Sequence, residues 1–345
     1  MDNRNVIGLD LAKNIFQLHI ADKNGRKIKG MRVRRSQLLE TFATLEVSLV
    51  GIEACGSAHH FARELQALGH EVKMMAPQHV KPYVKGNKTD ARDAAAICEA
   101  ASRPSVSSIR IKSIDQQQMQ ALHRTRELWM KQRIATGNQI RGLLAEFGIA
   151  IPKNYTQLKK AIPQWLSSED NPVILSELIK SLYSQLLHLE EQISFIESRI
   201  KSLHKDNSAS KLIKSIPGVG FLTATAMIAG MGDASHFGSG RKLASSLGLT
   251  PREYSSGESR KQLGISKRGN NYLRKLLIHG ARSVLNNRRH SPKDDWLERL
   301  ALRRGKNIAA VALAAKNARR IWSMLQTGEV FDPKQDEMLQ MKKAA

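Results

Sequence analysis

The sequence predicts a mixed α/β domain at the N-terminus, followed by two largely helical regions. Short apolar strand patterns joined by a hairpin signal occur first, and helix and strand patterns then alternate up to about residue 101. From about residue 115 onward, strand signals disappear and long helical periodicity replaces them. These observations predict an α/β fold for the first third of the chain and helical packing for the rest.

The N-terminal region begins with strand patterns at residues 5–10, 15–21 and 27–33, and Asn24-Gly25 marks a hairpin between the last two. The predicted helices that follow cover residues 36–45, 58–68 and 90–101, and the predicted strands cover residues 48–52 and 71–75. Hairpin-linked strands followed by this alternation are the layout of RNase H-like nuclease domains.

The middle of the chain carries two long helical patterns, over residues 116–147 and 173–204. Apolar residues in the second recur at alternating spacings of three and four, which is typical of a coiled-coil seam or a helical hairpin. Packing within one chain and dimerisation both remain open. The seam consists of Leu175, Leu178, Ile179, Leu182, Leu186, Leu189, Ile193, Ile196, Ile200 and Leu203.

These patterns divide the chain into four predicted parts. They are an α/β domain over 1–112, a helical coiled-coil and oligomerisation segment over 113–205, a mostly helical domain over 206–330, and a polar tail over 331–345.

The charge of the chain indicates the class of its partner. The 345 residues include 55 Lys and Arg against 31 Asp and Glu, and +14 of the net charge of +24 falls in residues 206–345. A protein this basic is typical of one that binds a polyanion such as nucleic acid. A hydrophobic content of 41% excludes wholesale disorder.

Several other classes are excluded by the composition. No run approaches the roughly 18 apolar residues of a membrane span, and no secretory signal follows Met1. Two cysteines, Cys55 and Cys98, build neither a disulfide framework nor a Cys-rich zinc site. We therefore expect a bacterial cytoplasmic protein that associates with the nucleoid and not with a membrane.

Four carboxylates fall where phosphodiester chemistry needs them. Asp10 ends the first strand, Glu53 follows a strand expected beside it, and Asp90 and Asp93 share a face at the start of a helix. Taken alone, Asp90 also suits the positive end of a helix dipole and Glu53 a surface strand end. Asp10 lies on an apolar strand, where a buried acid needs a partner. Together the four predict a site for Mg²⁺ (or Mn²⁺), which prefers carboxylate oxygens.

Two motifs in the basic C-terminal region predict phosphate contacts. Ser215-Ile216-Pro217-Gly218-Val219-Gly220 precedes an Ala-rich helix and is typical of a helix-hairpin-helix loop, in which Gly218 and Gly220 let backbone N–H groups approach a phosphate. A tight helix–helix turn is the alternative. The second motif is a predicted loop, Tyr254-Ser255-Ser256-Gly257-Glu258-Ser259.

Basic side chains surround that loop. Cations beside a hydroxyl lower its pKa and neutralise charge on a phosphate. Composition does not choose between Tyr254, Ser255, Ser256 and Ser259 as a nucleophile. The residues expected to contact nucleic acid are Arg252, Arg260, Lys261, Lys267, Arg268, Arg274 and Lys275.

Five ordered motifs resemble one family over about residues 5–330. The motifs are Gly8-Leu9-Asp10-Leu11-Ala12-Lys13, Ile52-Glu53-Ala54, Lys88-Thr89-Asp90-Ala91-Arg92-Asp93, Ile216-Pro217-Gly218-Val219-Gly220 and Gly248-Leu249-Thr250-Pro251. The series is similar to the DEDD transposases of the insertion-sequence-110 family, which are related to the Piv-type DNA invertases. The length of the chain suits the 1111 group of that family.

The resemblance implies a RuvC-like N-terminal domain, a coiled-coil segment and a helical transposase domain. It places Asp10, Glu53, Asp90 and Asp93 in the metal-binding set and makes Ser256 the nucleophile, with Ser255 one residue away as the rival. It also implies a serine–DNA covalent intermediate, double-stranded DNA substrates, a noncoding guide RNA, and a dimer or tetramer. The nucleophile and the acids are expected to meet between domains.

Two other functions remain open on the sequence. A metal-dependent junction nuclease would use the four acids with water and leave the serine idle. A non-enzymatic nucleic-acid-binding protein would need only the basic C-terminal region and would have no use for the acids.

Overall fold

The computed structural model describes residues 4–87, 89–256, 259–287 and 296–332, and of Arg260 it describes the backbone alone. Lys88 and Gly257, which belong to the motifs above, and residues 333–345 of the predicted tail lie outside the described residues. The chain forms two compact units, Met1–Ser113 and Ile114–Ala345.

The first unit is built on a six-stranded sheet in the order β3-β2-β1-β4-β5-β6. β1 is antiparallel to β2 and parallel to β4, and β5 continues the parallel part. The order and directions of β1 to β5 are those expected of an RNase H-like domain. The strands are β1 Val6–Asp10, β2 Ile15–Ala21, β3 Lys27–Arg34, β4 Leu49–Glu53, β5 Glu71–Met75 and β6 Ser108–Ile109.

Within the described residues, four α-helices and two short 3-10 helices accompany this sheet. The α-helices are α1 Leu38–Ala43, α2 Ala58–Ala67, α3 Pro77–Val80 and α4 Asp90–Ser102. Every strand and helix predicted within residues 5–101 is present, with ends shifted by a few residues at most. β6 was not predicted, because two residues are too short to show a period-two pattern. The core of the unit lies between the sheet and the helices that cover it.

Two glycines let α4 lie directly on the sheet. A Cβ on Gly8 of β1 would stand 2.0 Å from the carbonyl oxygen of Ala94, and one on Gly51 of β4 would stand 2.6 Å from the Ala101 Cβ. Only a residue without a side chain permits this approach. Apolar α4 residues, including Ala94, Ile97 and Ala101, are buried as a result.

Within the described residues, the second unit is helical apart from one hairpin. Its helices are α5 Ile114–Glu146, α6 Tyr155–Leu166, α7 Val173–Asp206, α8 Ser208–Lys214, α9 Phe221–Met231, α10 Gly240–Ser246, α11 Asn271–Asn287, α12 Trp296–Arg304 and α13 Lys306–Thr327. The hairpin pairs β7 Pro251–Ser256 with β8 Ser259–Ile265. The six helices from α8 through α13 share a separate hydrophobic core.

The two long helices α5 and α7 pack against each other within the chain. Much of the predicted seam of α7 is buried, but Leu178 and Leu203 are exposed. α6 adds Leu158 and Ile162 to the apolar cluster around the start of α7. Among the helices that the structure describes, none is long and apolar enough to cross a membrane.

A buried polar junction ties α5 to α9 and α11. Thr225 donates its hydroxyl proton to the Phe221 carbonyl at 2.7 Å, so we assign the His123 Nε2–H as the donor to Thr225 Oγ1 at 3.0 Å. His123 Nδ1 then accepts from the Tyr272 hydroxyl, also at 3.0 Å. Burial and the neighbouring charge of Arg126 lower the pKa of His123 to about 4. The neutral ring therefore has both nitrogens satisfied.

Candidate functional site

Asp10 and Glu53 end neighbouring parallel strands at the same edge of the sheet. Leu9 of β1 pairs with Ile52 of β4, so the two acids follow in the same row, on strands separated by about 4.8 Å. Both acids are half-buried. Burial raises the pKa of the Cys55 thiol, and the negative charges of Glu53 and Asp10 raise it further.

The first turn of α4 lies over this same edge. The Cys98 thiol donates to the Val6 carbonyl at 3.4 Å, while Ala94, one turn earlier in the helix, lies on Gly8. The helix therefore runs against the direction of β1. Its first turn, with Asp90 exposed and Asp93 half-buried, points to the carboxyl end of β1.

Thr89 begins α4 as its N-cap and accepts a hydrogen bond from the Arg92 backbone N–H at 3.3 Å. The helix dipole favours negative charge at this terminus. Among the residues that the structure describes, no three His, Cys, Asp or Glu side chains are grouped closely enough to hold a metal ion. The acids thus share an edge without forming a closed ligand cage.

The serine motif lies on a β-hairpin, where a loop was predicted. β7 is exposed along its whole length, and Ser256, its last residue, pairs with Ser259. Since side chains alternate across a strand, Tyr254 and Ser256 share one face with Lys261, the partner of Tyr254. The strand pattern was missed because its residues are polar and no apolar alternation marks them.

Ser255 lies on the other face of the hairpin. Its hydroxyl donates to the Glu253 carboxylate at 2.8 Å. The two candidate serines therefore differ in one contact: Ser255 is bound to an acid, although Arg260 is its partner on β8, and Ser256 shares its face with Lys261.

The base of the hairpin is fixed by Arg274 of α11. Arg274 is 7% exposed, and its Nη1 donates to the carbonyls of Leu247 at 2.9 Å and Arg268 at 3.2 Å. These carbonyls precede β7 and follow β8. Gly248 and Gly269, both at positive φ, let the two chain segments cross in backbone contact.

The remaining predicted cations fall into two groups. Arg252, Lys261, Lys267 and Arg268 are exposed around the hairpin. Lys275 instead contacts both Glu127 carboxylate oxygens, at 2.5 and 2.6 Å. The charged groups of Arg274 and Lys275, which are predicted to contact nucleic acid, have partners within the unit, and that prediction stays untested. The Arg260 side chain lies outside the description.

The residue 215–220 motif joins α8 to α9, and its two glycines differ. Gly218 has a φ of +85°, and a Cβ on Gly280 of α11 would stand 1.8 Å from its carbonyl oxygen. Gly218 is thus required for packing against α11, whatever else it contacts. Gly220 precedes α9 and has open space around it, beside a depression of about 450 Å³ that Lys214, Thr223 and Ser283 help to line.

Comparisons with known proteins match both units. A DEDD transposase model described as "Transposase" matches residues 7–149, and a model described as "Transposase IS116/IS110/IS902 family" matches residues 210–295. A probable family 20 transposase of Pseudomonas aeruginosa is 42% identical over 336 residues, covering 96% of this chain and 99% of that protein. This chain belongs to the IS116/IS110/IS902 transposase family.

Two further relatives are transposases of named insertion sequences. The transposase for IS1111A of Coxiella burnetii is 42% identical over 335 residues, covering 96% of this chain and 92% of that protein. The transposase for IS1328 of Yersinia enterocolitica is 38% identical over 335 residues, covering 96% and 99%. The chain is an insertion-sequence transposase, an enzyme of DNA transposition that cuts and rejoins DNA, as the resemblance predicted.

The two matched regions of the transposase contain the predicted site residues. The first includes Asp10, Glu53, Asp90 and Asp93, and the second includes Ser256 and the cations around it. Gly8, Gly51 and Arg274 position these groups, a role that was not predicted from the sequence, where Arg274 was expected to contact nucleic acid. A glycine within an apolar strand is the one signal that points to close backbone approach.

Proposed function

We propose that the transposase cuts DNA by attack of the Ser256 hydroxyl on a phosphodiester. The hydroxyl loses its proton, a bond forms between Ser256 Oγ and phosphorus, and the bond from phosphorus to one deoxyribose oxygen breaks. That oxygen leaves with a proton. Attack by a hydroxyl of the exchanged strand then reverses the step and frees Ser256. No high-energy cofactor is needed, because the phosphoserine conserves the bond.

The observation that carries this proposal is the split between the two serines. The Ser255 hydroxyl is bound to the Glu253 carboxylate, whose charge repels a phosphate, whereas Ser256 shares its face with Lys261. Since Arg260 pairs with Ser255, both serines have a basic residue of β8 opposite or beside them, and the contact with Glu253 is what distinguishes them. We therefore propose Ser256 as the nucleophile, with Arg252, Lys261, Lys267 and Arg268 as phosphate contacts.

The four acids would hold divalent metal. Carboxylate oxygens at one edge of the sheet are a donor set that fits Mg²⁺ or Mn²⁺, and Asp10 and Glu53 directly follow paired residues of neighbouring strands. When bound, Mg²⁺ supplies neutralisation of charge on the transferring phosphate. The protein's part is to hold Asp10 and Glu53 at the ends of neighbouring strands, with Asp90 and Asp93 added from the first turn of α4.

Expression of the gene from its native locus with flanking DNA tests this chemistry. Excision junctions are counted by amplification for the wild type and for Ser256→Ala, with Ser255→Ala as a control that removes a hydroxyl one residue away. We expect loss of junctions for Ser256→Ala and near-normal counts for Ser255→Ala. The reverse ranking would contradict the assignment of the nucleophile.

A water-using nuclease is the second candidate, and one observation favours it. The acids end strands of a buried sheet, while the serine hairpin is exposed along β7. If nicked DNA still accumulates with Ser256→Ala but not with Asp10→Asn, water is the nucleophile and this candidate replaces the first.

We further propose that the transposase acts as a dimer or tetramer with a noncoding guide RNA, and that residues 113–205 and 206–330 form separate functional parts. The net charge of +24 is what supports an RNA partner. Sequencing the RNA that survives a high-salt wash tests it. One discrete species mapping beside the gene supports guidance, whereas a heterogeneous mixture contradicts it.

A further inference from the structure

A groove opens beside the acid edge, which is the edge of the first unit's sheet where Asp10 and Glu53 end β1 and β4. It has a volume of about 720 Å³ and lies between the start of β2, the end of β3 and the first turn of α2. Its lining includes Asn14, Ile15, Arg34, Arg35, Leu39 and Phe61. None of these residues belongs to the four acids or to the β7–β8 hairpin that carries the serines.

The strand register places this groove near Asp10. Gln17 of β2 pairs with Asp10, and Ile15, two residues earlier in β2, pairs with Arg34. The groove therefore begins roughly 7 Å along the sheet from the row of Asp10. The Arg35 backbone N–H donates to the Asn14 carbonyl at 2.8 Å, which ties the end of β3 to the residue before β2.

Arg35 is held in position by aromatic rings. Its guanidinium carbon lies 4.9 Å from the centre of the Phe61 ring and 5.7 Å from that of Phe16. A guanidinium held over ring faces can still donate its N–H groups, which form the fork that recognises phosphate oxygens. Phe16 and Phe61 are buried, so they form a fixed support.

The charge and the floor of the groove suit one kind of ligand. Arg34 and Arg35 are exposed, and within the described part of the chain neither pairs with a carboxylate. Ile15 is 43% exposed on the groove wall. Two cations beside apolar surface match a phosphodiester strand, whose phosphates are anionic and whose sugars are largely apolar.

We infer that this groove binds the backbone of the DNA strand that is presented to the acids. Arg34 and Arg35 contact successive phosphates, and a sugar packs on Ile15. The inference rests on the proposed function in taking DNA as the strand on which the acids act. It adds a substrate-binding surface to the α/β unit, apart from the basic C-terminal region.

Photocrosslinking on the full chain tests the groove. A photoreactive amino acid replaces Ile15 in the Asp10→Asn variant, which keeps the DNA uncut, and nuclease treatment removes bound RNA. The probes are a DNA duplex and a DNA single strand of random sequence, with RNA of the same sequence as the comparison. The same replacement at Ile28, an exposed apolar residue at the other end of β3, is the control.

We expect crosslinks to DNA from position 15 and none above background from position 28. A crosslink from position 15 to RNA but not DNA, or equal yields from both positions, would overturn the inference. These outcomes do not depend on Ser256, so failure of the serine chemistry leaves the result interpretable.

Charge removal provides the matched measurement. Arg35→Ala is compared with Arg26→Ala, which removes the same charge from an exposed turn at the opposite end of the sheet. We expect Arg35→Ala to lower DNA affinity about tenfold and to lower the salt slope by about one, and Arg26→Ala to change both less. Since Arg35→Ala also removes stacking on Phe61, Arg34→Ala provides a second test without that contact. Equal effects of all three variants would contradict the groove.

Discussion

The acid edge and the serine hairpin are held in place in different ways. Asp10 and Glu53 directly follow Leu9 and Ile52, which are fully buried, so the core of the sheet fixes both acids. β7 has no buried residue, and Tyr254 beside the serines is 74% exposed. Arg274 and the crossing at Gly248 and Gly269 fix the hairpin at its base.

In the proposed mechanism, this difference separates the residues that are in position before DNA binds from those that DNA binding positions. Groups held by a packed core keep their positions without a ligand. An exposed hairpin anchored at its base gains its final position from what it binds. In the proposed mechanism, the acids are therefore in position before DNA binds, and the serine is positioned by the nucleic acid.

The largest effect on activity is expected from removal of the negative charge of Asp10. Asp10→Asn should lower strand cleavage by about a thousandfold or more, because the charge stabilisation lost is several kcal/mol. DNA binding should stay the same or strengthen, since one repulsive charge is gone. Cleavage and binding are measured separately on the same DNA. Full cleavage together with weaker binding would contradict the role of Asp10.

A second substitution breaks the support of the acid edge without touching an acid. Gly8→Ala places a Cβ 2.0 Å from the Ala94 carbonyl oxygen, so α4 must move off β1. We expect a loss of stability of about 3 kcal/mol in the first unit, read as faster amide exchange in α4. Gly56→Ala is the control, because nothing lies within 4 Å of its added Cβ. Equal exchange in the two variants would show that the sheet does not fix α4.

The stability of the second unit, whose helix α11 carries Arg274 and Tyr272, is expected to depend on pH. His123, whose pKa is lowered to about 4, holds Tyr272 at the start of α11. The unfolded chain takes up this proton near its ordinary pKa of about 6.5, before the folded chain does. Stability should therefore fall as the pH drops from about 6.5 to 4, by up to about 3 kcal/mol from this residue.

The comparison of wild type with His123→Gln isolates that contribution. Urea unfolding of both proteins is followed across this pH range. The wild type should lose more stability than the variant on acidification, and parallel losses would show that His123 is not the titrating group.

The smallest effect is expected from Arg274→Ala, which loosens the base of the β7–β8 hairpin. Arg274→Ala leaves the Leu247 and Arg268 carbonyls without their donor, at a cost of about 1–3 kcal/mol. The amides of Ser266 and Lys267, which donate to Thr250 and Gly248 across the base, should exchange about ten- to a hundredfold faster. Arg268→Ala keeps its carbonyl and serves as the control. Unchanged exchange in Arg274→Ala would mean that the glycine crossing alone holds the base.

The sequence was most informative where hydrophobic pattern decides structure. The strands that end at Asp10 and Glu53, and the helix that begins at Asp90, were predicted because apolar periodicity and a helix cap mark them directly. The parallel pairing then brings the acids to one edge. All of this depends on local patterns and on one rule of sheet topology.

The sequence was least informative about which charges are already used. Arg274 and Arg268 look equivalent in the sequence, yet one is buried beneath the hairpin and the other is exposed. Gly218 matches a phosphate-binding loop, but its close contact is with Gly280, 62 residues away. Such partners depend on tertiary packing, which local spacing does not contain.

The central claim is that Ser256 becomes covalently linked to DNA, and mass spectrometry of trapped complexes tests it most directly. Cells that express the transposase beside its flanking DNA are lysed in denaturant, the DNA is digested with nucleases, and linked peptides are sequenced. We predict a nucleotide adduct on the peptide that contains Ser256, unchanged in Ser255→Ala and absent in Ser256→Ala. An adduct on Ser255 or Tyr254, or DNA cleavage with no adduct on the protein, would contradict the account.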